Sequence, residues 1–146
     1  MGMNKLKKKP HHTESEITKY LKTASSKVEK LAEDFFTISF RHLDKTQADN
    51  FYNWEQQGIL AHAMDVLSDY CQAPLVSQYS EKFTCYGAFP PKSIYKCPTY
   101  IPEDANWGRI HIKGKQILAG HIVKNVFYVV FLDSEHGFWK TDIQDK

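Results

Sequence analysis

The chain has 146 residues and a mass of 17.0 kDa, which suits one domain of ordinary size with a short appendage. Hydrophobic residues at 42% and aromatics at 14% exclude wholesale disorder, and no apolar run approaches the roughly 18 residues of a membrane-crossing helix. The net charge of +2 and the pI near 8.3 are too mild to indicate nucleic-acid binding on their own, since dedicated binding domains tend to exceed about 9.

The positive charge gathers at the head of the chain. Residues 1–34 carry eight lysines against five acids, whereas residues 35–146 carry eleven basic and twelve acidic residues. Lys5, Lys7, Lys8 and Lys9 have no acid among them, so residues 1–12 read as a flexible basic arm. No hydrophobic segment follows to make it a secretory signal. Thr13-Glu14-Ser15-Glu16 is a capping box, and Ile17, Leu21, Ala24, Val28, Leu31 and Phe35 then recur every three or four residues. That pattern predicts a helix over 13–34.

Phe36 to Leu43 switches to period two, with Phe36, Ile38 and Phe40 on one side of a half-buried strand. Residues 44–53 are polar and predict a loop. Leu60, Ala63, Met64, Leu67 and Cys71 restore a helical stripe over 54–71, with Gly58 as an interruption near its start. Residues 72–106 hold five of the six prolines beside six aromatic residues. The prolines exclude a long helix and the aromatics argue against a slack linker. The expectation is a packed irregular excursion with one strand at Lys82–Tyr86.

Trp107–Lys113, Gln116–Val123 and Phe127–Leu132 are three strand patterns separated by the tight turns Gly114-Lys115 and Lys124-Asn125. The near-continuous FYVVFL run predicts a central strand covered on both faces. Helices followed by an antiparallel meander give an α+β fold, with one or two helices packed on the sheet and a single domain over 13–146.

Arg109, His111, Lys113 and Lys115 alternate along the first meander strand and therefore share a side. His121 lies on the next strand, and Asp133, Glu135 and His136 close the third. Guanidinium, imidazole and ammonium groups together suit an anionic ligand such as a phosphate. Arginine stabilises a charged transition state and histidine exchanges protons near neutral pH, so Arg109, His111 and His136 are the candidate catalytic residues. The competing expectation is a solvated outer face, where charged side chains are the normal occupants. Asp133, Glu135 and His136, completed by His111 or His121, offer a metal-ligand set without a recognised spacing. His42 and His62 have no evident partners. Tyr95, Tyr100, Trp107 and Trp139 are candidates for stacking on bases, with core packing as the alternative. P-loop, GxGxxG and GxSxG motifs are absent, and no cofactor is called for. Three cysteines without a CxxC pair (Cys71, Cys85 and Cys97) point to a reducing, cytoplasmic setting.

The strand FTISFRHLD and the stretch from Trp107 to Trp139, with its closing FYxVxxDxxH string, resemble small bacterial and mobile-element proteins. More distantly, the layout is similar to the RelE/ParE toxin superfamily. That resemblance implies metal-independent cleavage of RNA by basic and aromatic residues on the sheet, and neutralisation by an antitoxin-type protein partner. Carried over by position, Arg109, His111, Lys113 and Lys115 face phosphate, while His136 with Trp139 or Lys140 supplies the C-terminal contribution. The family often bears an arginine on the middle strand where this chain has Ile117. The departure keeps open a non-catalytic module that recognises a protein through the 72–106 loop or an exposed strand edge.

Overall fold

The computed structural model describes residues 16–19 and 34–140, and the chain divides into two units, Met1–Glu33 and Asp34–Lys146. In the first unit, residues 16–19 are helical and exposed; the rest of the predicted 13–34 helix and the basic arm lie outside the described residues, apart from Asp34, which forms a turn. The second unit is α+β. Its elements run β1 (Thr37–Ser39), α1 (Phe51–Gln56), α2 (Leu60–Tyr70), a 3-10 turn (Leu75–Gln78), β2 (Phe83–Gly87), β3 (Asn106–Lys113), β4 (Gln116–Val123) and β5 (Val126–Asp133).

The five strands form one sheet in the order β1-β5-β4-β3-β2. The meander β3–β5 falls where the turn residues predict it. β1 pairs in parallel with β5, Ile38 opposite Phe127, so the sheet is antiparallel except at that edge. The predicted strand over 36–43 is only three residues long. Phe36 is buried beyond its start, and Phe40 is 38% exposed and packs edge-on against Phe51.

A single 54–71 helix does not form; two shorter ones do. Asn50 caps α1 by accepting from the Asn53 amide at 2.8 Å, while the Asn53 side chain accepts from the Asn50 amide at 3.1 Å. This moves the helix start into the predicted loop. At the other end Gly58 sits at φ +73, with its amide on the Glu55 carbonyl and the Ile59 amide on the Trp54 carbonyl. That is the Schellman stop, and Gly58 supplies the left-handed residue it needs. α2 buries Ala63 and Leu67 against the sheet, whereas Met64 is 45% exposed.

Helices and sheet enclose a core of Phe36, Trp54, Leu67, Phe83, Ile110, Leu118, Phe127, Val129 and Leu132. The opposite side of the sheet is not solvated either. Trp107, Ile117, Ala119, Val130, Phe131 and Phe138 form a second core beneath Tyr95 and Ile101 of the proline-rich excursion. A bulge makes this possible. Ala119 pairs with Phe131 and Gly120 with Val129, so Val130 is an extra residue in β5. Val130 and Phe131 consequently both serve the second core, and both faces of β5 are covered, as the uninterrupted apolar run predicts.

Candidate functional site

The odd-numbered residues of β3 lie on the second-core side, beside Ala119, His121 and Phe131 of the neighbouring strands. Arg109 and His111 do share this side, as the alternation predicts. Both are half-buried, because the excursion and the C-terminal turn cover most of the surface that sequence alone presents as open. A register shift between His111 and Lys113 displaces Lys113 from the alternation, and Lys113 and Lys115 are exposed around the hairpin.

Arg109 is held from the edge strand. Its Nε donates to the Tyr86 hydroxyl, and its guanidinium carbon stands 6.0 Å from the centre of the Tyr86 ring. Burial pushes the Tyr86 phenol up, against the pull of Arg109, so Tyr86 stays a neutral acceptor for the guanidinium. Tyr86 in turn stacks on Trp139, with ring centres 4.0 Å apart and planes within 6°. A flat two-ring platform therefore sits beside a guanidinium whose terminal nitrogens are not used by the Tyr86 contact. Lys140 follows Trp139 and is exposed.

His111 lies one alternation step along. Its Nε2 donates to the Gly114 carbonyl at 3.0 Å, leaving Nδ1 as its second ring nitrogen. His136 is in the turn after β5 at φ +58, and its Nδ1 is buried without a hydrogen-bond partner.

That turn is organised by Asp133, which is fully buried. Its Oδ1 accepts from the Tyr95 hydroxyl at 2.8 Å, the Gly137 amide at 3.1 Å and the Glu135 amide at 3.2 Å; Oδ2 accepts from the Phe138 amide at 2.8 Å. With its oxygens so engaged, Asp133 holds the turn in place, and among the described residues no group of three or more His, Cys, Asp or Glu could hold a metal ion.

His121 does not join the platform. It is 3% exposed and faces His42, Nε2 to Nδ1 at 2.9 Å, with burial and then the neighbouring His42 lowering its pKa to about 4. Direct contact with a ligand, the role its position in sequence suggests, is closed to it. His42 and His62 both have partners after all: His62 donates Nε2 to the Ile112 carbonyl at 3.1 Å. Of the candidate stacking residues, Trp107 and Tyr95 are core, Tyr100 is 53% exposed, and Trp139 is half-exposed on Tyr86.

Two features escape a reading of the chain. The strand pattern at Lys82–Tyr86 does not reveal that Tyr86 meets both Arg109 and Trp139, and the His42–His121 pairing joins residues 79 apart. An aromatic pair, a guanidinium and a lysine-bearing hairpin together fit a ligand carrying a flat ring and negative charge. Searched against protein-family models, curated proteins and solved structures, the chain finds no match.

Proposed function

We propose that this protein binds RNA through the Tyr86–Trp139 platform and the cations beside it. One observation carries the reading: Arg109 is hydrogen-bonded to the very ring on which Trp139 stacks. The platform supplies a face for a base, Arg109 a fork for a phosphate, and Lys113 and Lys115 further charge along the backbone. Cleavage would further need a proton exchanger at the phosphate: His111, oriented through Nε2 by the Gly114 carbonyl, has Nδ1 for that role, whereas the His136 Nδ1 is buried.

Fluorescence anisotropy of the full chain with a short labelled RNA tests this. Affinity is expected to fall steeply with salt and to drop in Arg109→Ala and Trp139→Ala. Unchanged affinity in both variants, or no binding at low salt, overturns the reading. The same RNA run on a gel, with and without a chelator, shows whether binding is accompanied by strand cleavage.

A further inference from the structure

We propose that the His42–His121 pair is a proton-sensitive latch that pins a strap, made of residues 40–50 and 93–101, across the second-core face of the sheet. The two segments of the strap are stitched together. Gln47 donates Nε2 to the Lys96 carbonyl at 2.8 Å and accepts from the Lys96 amide at 2.7 Å, and the Tyr100 hydroxyl donates to the His42 carbonyl at 2.9 Å. One end of the strap is fixed by the histidines. The other is fixed by the Tyr95–Asp133 bond and by the Ile94 amide on the Gly137 carbonyl at 2.9 Å, two residues before Trp139.

The geometry of the pair makes it sensitive to protons. The ring centres lie 5.2 Å apart and the planes within 12°. Beyond the 2.9 Å contact that distance leaves only the two ring radii, so both rings and the bond lie nearly on one line. Both rings also lie flat on Tyr128, at 4.7 and 4.9 Å. An imidazole–imidazole bond of this kind needs one nitrogen with a proton and one without. With both rings fully protonated, two N–H groups and two like charges face each other, and the bond is lost.

Among the described residues no carboxylate is hydrogen-bonded to either ring, so a second charge has no direct partner. Tyr128 faces it from β5, Tyr100 from the strap, and Trp107 from β3 at 5.9 Å. Asp44, two residues after His42, is the nearest carboxylate in sequence, but Thr46 and Gln47 already occupy its oxygens. Opening the strap lets His121 reach water and take its proton. Because the strap's far end meets the turn that carries Trp139, the latch also bears on the platform, and in that respect it rests on the RNA reading. Its own test reads the strap directly and holds whether or not RNA binds.

Hydrogen exchange of the full chain at pH 7.5 and 4.5, corrected for the intrinsic pH dependence of exchange, follows the amides of Asp44, Ile94 and Lys96. These bond to Val130, Gly137 and Gln47 in the closed strap. Their opening is expected to gain up to about tenfold per pH unit between pH 6.5 and about 4, and to run well ahead of the β3–β4 amides, which open only with the whole unit. His121→Gln can accept from or donate to the His42 Nδ1 through its amide and cannot titrate, so its strap is expected to hold in acid. Equal protection of the wild-type strap at the two pH values overturns the latch, as does an unchanged acid response in His121→Gln. Should that variant not fold, the imidazole resonances of the wild-type chain decide: a His121 that titrates with no change in strap exchange overturns it equally.

Discussion

Tyr95 and Asp133, 38 positions apart, are joined by a 2.8 Å hydrogen bond that ties the proline-rich excursion to the turn carrying the candidate site. Burial, and then the carboxylate itself, push the Tyr95 phenol far above its usual range, so it remains a donor at any working pH. Asp133→Ala leaves that hydroxyl and the Gly137 and Phe138 amides without their acceptor. The loss of stability is expected to be roughly 3 kcal/mol or more, against about 1 kcal/mol for Tyr95→Phe, where the amides keep theirs. Urea denaturation of the two variants checks the ordering.

His121 sets a pH dependence for the whole unit. Its pKa of about 4 in the folded chain lies below the ordinary 6.5, so between these values the unfolded chain binds more protons. Its contribution is complete above pH 6.5 and is lost as the pH falls to about 4, amounting to about 3 kcal/mol. Denaturation midpoints across that range are expected to fall in the wild type and to flatten in His121→Gln.

Gly120 stands where β4 and β5 approach each other. A Cβ there would come within 2.1 Å of the Tyr128 carbonyl oxygen and 2.9 Å of the Phe127 ring. The obstacle at 2.1 Å is backbone, so Gly120→Ala is expected to cost about 1–3 kcal/mol by overpacking, or to prevent folding. Thermal melts of the variant read this directly.

Gly58→Ala probes the helix stop. Space is not the issue, because nothing lies within 4 Å of an added Cβ. The positive φ is, and the expected penalty is about 1 kcal/mol, with α1 and α2 retained in the far-ultraviolet circular dichroism.

Arg109→Lys separates charge from geometry at the platform. Lysine keeps the positive charge but has no Nε–H for the Tyr86 hydroxyl and no planar fork. RNA affinity is expected to fall by about tenfold with a nearly unchanged salt dependence, whereas Lys113→Ala is expected to flatten that dependence by about one phosphate contact. Anisotropy titrations at several salt concentrations distinguish the two.

The meander is legible because Trp107–Lys113 alternates, Phe127–Leu132 is a continuous apolar run, and the turns carry Gly114 and Asn125 in the right places. The same logic put Arg109 and His111 on one side. What it lacked was the cover. Alternation states that two side chains point alike, not whether another segment lies over them, and Tyr95, Ile101 and Phe138 come from regions with no periodicity. Gly58 interrupts a helical stripe in sequence; only its hydrogen bonds reveal it as a terminator. His42 and His121 carry no mutual signal at all, since their encounter depends on how the segment after β1 is laid across β5.

The surplus residue in β5 has a consequence for how this fold tolerates changes of length. Val130 is unpaired with β4, and its carbonyl accepts the Asp44 amide at 2.8 Å. Losing that single codon would leave a regular β4–β5 ladder while removing one anchor of residues 40–50, whose Asp49 amide still has the Leu132 carbonyl. A deletion at this position thus loosens the cover while leaving the scaffold's ladder regular.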